Sequence, residues 1–137
     1  MKQFIEKIKI ETEGNQIINI NDKVNDLLFK SRINNGILNL SILHTSCSLM
    51  VQENADPTVM VDIKNFLNKI APENGYFHNS EGPDDMPAHL KSLITQTNLT
   101  LSVKDKNLIL GCWQGIFLLE HRHSKKIREV LFHLLGE

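Results

Sequence analysis

Ile37-Leu38-Asn39-Leu40-Ser41-Ile42-Leu43-His44-Thr45-Ser46-Cys47-Ser48-Leu49-Met50-Val51 is the stretch whose reading decides the fold. Two apolar runs, Ile37 to Leu43 and Cys47 to Val51, read as strands, so His44 falls at or near a strand end. On the N-terminal side, Phe4 to Thr12 alternates apolar and polar residues, and Gly14-Asn15 leads into Gln16 to Ile20. This pattern predicts a β-hairpin. Asn21 is placed to cap a helix carrying Val24, Leu27, Leu28 and Ile33, closed by the turn signal Asn34-Asn35-Gly36.

On the C-terminal side, Asp56 is a good N-cap and Pro57 suits the first helical position. Val59, Met60, Ile63, Phe66, Leu67 and Ile70 then follow helical spacing and predict one apolar face, with Asp62 on the solvated side. Glu73 to Asp85 is polar and rich in Asn, Gly and Pro, which predicts a surface loop carrying His78, of a length associated with function. Asp84 or Asp85 is expected to cap a further helix with Pro87 in its first turn and Leu90, Leu93 and Ile94 inward. That helix places His89 near its N-terminus. Leu99–Val103, Leu108–Gly111, Ile116–Glu120 and Ile127–Leu135 read as strands. The expectation is an α+β fold with a mostly antiparallel sheet, in one domain spanning residues 1–137.

Composition narrows the function. The 15 basic and 16 acidic residues nearly cancel, so no strong field would gather nucleic acid or an anionic membrane. No stretch approaches the roughly 20 apolar residues of a membrane span, and the N-terminus lacks the pattern of a signal peptide. A cytoplasmic location is expected. Cys47 and Cys112 each lie in an apolar segment without zinc-type pairing, which predicts buried, reduced thiols with no catalytic role.

The polar residues between His44 and His89 include three of the six histidines. Imidazole and carboxylate bind divalent metals and move protons near neutral pH. His44, His78 and His89 would supply three nitrogens and leave a position open for water or a phosphate oxygen, a catalytic rather than structural zinc pattern. Glu53 and Asn54, just past a strand end, suit a general base or a group that orients a histidine ligand. Asp56 has the competing explanation of helix cap. Asp85 has a second use, fixing His89. Trp113 and Gln114 suit stacking on a heterocycle and reading its edge, against the alternative of core or interface filler. Arg122, Lys125, Lys126 and Arg128 cluster with His121 and His123 around a turn; such clusters are usually solvated, but Arg128 within a strand suits a phosphate clamp.

Four separated motifs carry a resemblance: His44-Thr45-Ser46, Glu53-Asn54-Ala55-Asp56-Pro57, Asp84-Asp85-Met86-Pro87-Ala88-His89-Leu90-Lys91 and Leu110-Gly111-Cys112-Trp113-Gln114-Gly115-Ile116. In order and across nearly the whole chain they resemble the YjbQ family, described as secondary thiamine-phosphate synthases. The resemblance implies a homotrimer with a metal site on His44, His78 and His89, zinc being the expected ion and magnesium the alternative. It implies a weak activity joining the pyrimidine and thiazole halves of thiamine, with Glu53, Asn54 and Asp56 assisting and Ser46, Trp113, Gln114 and Arg128 holding a small phosphorylated or heterocyclic substrate. A metal-assisted hydrolase and a non-catalytic ligand-binding trimer are the alternatives. The chain departs from the family pattern at Cys47, where alanine is usual, and at Cys112, where threonine is usual. Thr97 to Ser102 also lacks an expected glycine and proline.

Overall fold

A computed structural model describes residues 1–137. In chain order the elements are β1 (Lys2–Thr12), β2 (Gln16–Asn19), α1 (Asn21–Ser31), β3 (Gly36–Ile42), β4 (Cys47–Glu53), α2 (Pro57–Ile70), α3 (Asp85–Ile94), β5 (Asn98–Lys104), β6 (Asn107–Leu108), β7 (Gln114–Glu120) and β8 (Lys126–Gly136). The strands form two antiparallel sheets, β1-β8-β3-β5-β6 and β2-β7-β4. The fold is α+β, as the alternating and continuous apolar runs predict.

The inward positions of the larger sheet, among them Ile8, Ile10, Leu38, Leu40, Val130, Phe132 and Leu134, pack against Cys47, Leu49, Ile116 and Leu118 of the smaller sheet and Val24 and Leu28 of α1. Burial of these side chains supplies the main stabilising term, about 1.5–3 kcal/mol for each large aliphatic removed from water. The other face of the smaller sheet carries Ser48, Leu119 and His121. It is covered by α2 and α3, through Leu67 and the hydrogen bond from Thr95 Oγ1 to Ser48 Oγ (2.6 Å).

The predicted N-terminal hairpin does not form. β1 pairs along its whole length with β8, Lys2 opposite Gly136 and Thr12 opposite Lys126, whereas β2 pairs with β7 in the other sheet. Gly14 (φ +94°) and Asn15 (φ +44°) turn the chain from one sheet to the other, and a Cβ on Gly14 would collide with the His123 carbonyl. Alternation identifies a strand but carries no information about its partner.

The helix starts also differ in chemistry. Asp56 caps α2 by accepting from the Thr58 N–H (2.9 Å), as its position predicts. Asn21 is itself helical, and its side chain instead accepts from the Ile116 N–H (2.7 Å), tying α1 to β7. Asp84 stands at the N-cap position of α3 without capping it, because its carboxylate is engaged by Arg122 and His123. Ile33 is buried beyond the end of α1, and the predicted strand at Leu108–Gly111 shortens to β6. Of the predicted apolar face of α2 only Leu67 is buried, and Phe66, Ile70, Leu93 and Ile94 are exposed in the single chain. Cys47 is buried, and burial pushes its thiol up to about 12, which leaves it inert; Cys112, by contrast, is exposed. No helix is long and apolar enough to cross a membrane.

Candidate metal centre

The loop from Ala71 to Asp84 and the first turns of α3 bring His78, Asp85 and His89 together. One ligand atom from each lies within 4.8 Å of the others. Asp85 and His89 are four residues apart on α3, the spacing that stacks side chains on one helical face. Their Oδ2 and Nε2 atoms stand 3.2 Å apart, and His78 Nε2 reaches the same Asp85 oxygen at 2.6 Å. Asp85 is 2% exposed, whereas both imidazoles are partly open to solvent.

Neighbouring groups fix the orientation of each member. His89 Nδ1 donates to the Thr45 carbonyl (2.8 Å), so its Nε2 in the neutral ring carries a lone pair aimed at a carboxylate oxygen. Two lone pairs facing one another are stable only with a proton or a cation between them. Two imidazole nitrogens and a carboxylate oxygen within 4.8 Å of one another are a donor set that fits a divalent metal ion, with Asp85 as the anionic ligand and an imidazole on either side. Arg122 Nη1 donates to the other Asp85 oxygen (2.7 Å), its Nε to Asp84 Oδ2 (3.0 Å) and its Nη2 to the Glu81 carbonyl (2.9 Å). One guanidinium thus binds the acidic ligand and the loop that carries His78. Burial alone would raise the Asp85 carboxyl, but the hydrogen bond from His78 and the charge of Arg122 help to outweigh it and hold the group below its usual range. Glu81, exposed, places Oε2 3.6 Å from His78 Nε2 at the mouth of the cluster.

His44 does not join this set. Its Nε2 accepts from the Glu129 backbone N–H (2.8 Å), which leaves that nitrogen without a free lone pair, and burial followed by the charge of Arg128 lowers its pKa. Its neighbour Thr45 contributes to the site through a backbone carbonyl, which side-chain chemistry cannot reveal.

Arg128 is not exposed as a phosphate clamp requires. It is 5% exposed and makes a fork-like pair with Glu120, Nε to Oε2 and Nη2 to Oε1, each at 2.6 Å. Its Nη2 also donates to the Ser46 hydroxyl (3.0 Å) and carbonyl (3.2 Å), so Ser46 faces Arg128 from a buried position and not an open substrate pocket. Burial would raise the Glu120 carboxyl, but Arg128, the Arg122 N–H and Thr12 hold it below its usual range. Arg122 is the functional residue that sequence reasoning passes over, because a basic cluster at a turn is ordinarily solvated. His121 of the same cluster is buried against Ser48 Oγ (2.8 Å), and burial and then Lys91 push it down to about 4.

Glu53, Asn54, Trp113 and Gln114 form a second group. Glu53 pairs with Gln114 across β4 and β7, Asn54 Nδ2 donates to the Gln114 carbonyl (3.2 Å), and Gln114 Oε1 accepts from the Gly111 N–H (2.8 Å). Trp113 is 64% exposed, so it is not core filler. The register Cys47–Glu120 to Glu53–Gln114 runs the length of the smaller sheet, with the histidine cluster beside the Cys47 end. At about 3.3 Å per residue, the six steps of β4 separate the two groups by roughly 20 Å within one chain.

Residues 6–137 match the family model described as UPF0047 protein YjbQ-like. The chain is 41% identical to the UPF0047 protein sll1880 of Synechocystis, over 99% of this chain and 94% of that protein. It is 44% identical to the UPF0047 protein YjbQ of Escherichia coli O157:H7, over 83% of each. Among solved structures, the conserved hypothetical protein TT1486 from Thermus thermophilus superposes with a TM-score of 0.85 at 37% identity, covering 95% of this chain and 99% of that one. The hypothetical protein APE1520 from Aeropyrum pernix gives 0.89 at 29% identity, with 98% and 99% coverage. With its two sheets, three helices and near full-length matches, the chain belongs to the YjbQ-like UPF0047 family.

Proposed function

We propose that the protein is a divalent-metal-dependent enzyme acting on a small phosphorylated or heterocyclic compound. The observation that carries this reading is the convergence of His78, Asp85 and His89, with the His89 lone pair turned toward the Asp85 carboxylate by Thr45. Two imidazoles and one carboxylate favour zinc over magnesium, which prefers oxygen ligands and retained waters. When bound, such an ion supplies Lewis acidity toward a phosphate or carbonyl oxygen and lowers the pKa of a water. Asp85, held by Arg122, neutralises part of the charge. Glu81 at the mouth is placed to accept a proton from a nucleophile.

The finer reading is transfer of thiamine-phosphate synthase type, joining a pyrimidine pyrophosphate to a thiazole phosphate with release of pyrophosphate. Because Arg128 is engaged by Glu120, neutralisation of the leaving group would fall to the histidine centre. The rival is hydrolysis of a small phosphorylated compound, favoured by an exposed carboxylate beside an incompletely liganded site. Turnover of the two synthase substrates and of a panel of phosphate esters is to be measured on protein as purified, after chelation, and after zinc is restored. Activity is expected to fall to background on chelation and to return with zinc. Activity indifferent to chelation would remove the metal reading, and ester cleavage without synthase turnover would select the hydrolase.

The proposal includes a homotrimer in which the Glu53–Gln114 end of one copy faces the histidine cluster of the next. Exposed Phe77 beside His78, and exposed Leu93 one turn beyond His89, flank one end, and exposed Trp113 marks the other. Contacts joining unlike ends are heterologous, and a rotation of one third of a turn between copies closes them into a three-membered ring. Trp113 is the sole tryptophan. Loading one cobalt(II) per chain is expected to quench most of its emission in the assembled protein, since such quenching acts at short range. Full cobalt occupancy with unchanged emission would show that Trp113 and the metal do not meet.

A further inference from the structure

Two Asn-Gly pairs occur in the chain, Asn35-Gly36 and Asn74-Gly75. An asparagine that precedes glycine is especially prone to lose its side-chain amide, because glycine has no Cβ to crowd the approach of its nitrogen to the neighbouring carboxamide. Both asparagines are exposed, so access of water does not distinguish them. Their surroundings do.

Asn35 is held by its neighbours. Its Oδ1 accepts from the Asp105 N–H (3.1 Å), its backbone N–H donates to the Glu137 carbonyl (3.0 Å) and its own carbonyl accepts from the Glu137 N–H (2.9 Å). Gly36 opens β3, paired with Val103 on one side and Gly136 on the other. Swinging the carboxamide onto the Gly36 nitrogen would break into this ladder. Asn74 stands in the loop between α2 and α3, where neither its side chain nor the Gly75 N–H is engaged in a hydrogen bond. Gly75 has φ +81°, and nothing lies within 4 Å of the position a Cβ would take, which leaves open space beside the pair.

We propose that Asn74 is a site of spontaneous covalent modification, converted to aspartate and isoaspartate, and that the fold spares Asn35. The Gly75 nitrogen, having given its proton to solvent, attacks Asn74 Cγ. The new N–Cγ bond closes a five-membered imide, the Cγ–Nδ2 bond breaks, and the amide nitrogen takes up a proton and leaves as ammonia. Water then opens the imide. Breaking the N–Cγ bond leaves aspartate; breaking the bond to the main-chain carbonyl leaves isoaspartate, with the backbone routed through the former side chain. One water is consumed, one ammonia is released, and no electrons change hands. Both products place a carboxylate in the cleft of about 460 Å³ that Asn74 and Gly75 line with Glu73, Tyr76 and His78. Isoaspartate also adds one carbon to the backbone between α2 and His78. The modification requires neither metal nor substrate.

The test is peptide mapping by mass spectrometry of folded protein incubated for several days at mildly alkaline pH, beside a sample kept in urea. Loop segments open at almost no cost whereas sheet residues open at up to the global unfolding free energy, so Asn74 in the folded protein should convert at least about tenfold faster than Asn35. Isoaspartate should be confirmed at Asn74 by labelling with a protein isoaspartyl methyltransferase. In urea the two rates should become similar, since the ladder that protects Asn35 is then gone. Asn74→Gln should stop the accumulation of acidic protein on anion exchange; should that variant fail to fold, the wild-type maps still decide. An intact Asn74, or equal conversion of Asn35 and Asn74 in the folded protein, overturns the proposal. Rates that stay apart in urea would overturn the protection assigned to the fold.

Discussion

Arg128→Ala is expected to lose about 3–5 kcal/mol of folding stability, the usual cost of leaving one half of a buried ion pair without its partner. Removing the guanidinium strands the Glu120 carboxylate, 2% exposed, with only Thr12 and the Arg122 N–H as donors. Whole-domain stabilities are about 5–15 kcal/mol, so this single change takes a large share and should lower the melting temperature by about 10–20 °C. Replacing both partners with apolar residues, Arg128→Met with Glu120→Leu, should recover much of the loss. Denaturant unfolding of the single and double variants measures it. A loss below about 1 kcal/mol for Arg128→Ala would mean that the pair is solvated and that Arg128 is available to a substrate after all.

Asp85→Ala should reduce metal affinity more than 100-fold, a larger effect than Arg122→Ala, for which loss of a group supporting a ligand is expected to cost about 10–100-fold. The order follows from geometry: Asp85 carries the oxygen between the two imidazoles, whereas Arg122 holds its second oxygen. His44→Ala should leave metal content unchanged, because its Nε2 is engaged by the Glu129 N–H. Elemental analysis of protein purified without chelator, followed by competition titration, separates these outcomes. Loss of metal from His44→Ala equal to that from Asp85→Ala would place the ion elsewhere.

The parts of this fold legible in the sequence are those set by local chemistry. Asp56 before Pro57 marks the start of α2 through the hydrogen-bonding capacity of one carboxylate, and the apolar runs around His44 mark β3 and β4. Strand partners were not legible, as β1 and β2 show: adjacency in the chain suggested a hairpin, while pairing followed long-range contacts with β8 and β7. At the site, His78 and His89 were visible as residue types suited to metal, and Asp85 as a group that could fix His89. The displacement of His44 depends on which backbone N–H its ring meets across 85 positions of sequence, and no local pattern encodes that. Arg128 and Arg122 exchange their expected roles for a similar reason. A basic residue in a strand and one in a turn look alike until burial decides which pairs with the inter-sheet acid and which reaches the loop.

The loop between α2 and α3 has the composition of a segment that wanders, yet it is tied down from end to end. Glu73 is held by His123, the Glu81 carbonyl and Asp84 by Arg122, and Asp85 by the same guanidinium. All of these ties come from the short turn between β7 and β8. Fixing a residue's backbone costs about 1–2 kcal/mol of conformational entropy, and here that ordering is accomplished when the two sheets assemble. A ligand arriving at His78 and His89 meets side chains already in register, and its binding energy is not diverted into straightening the segment that carries them.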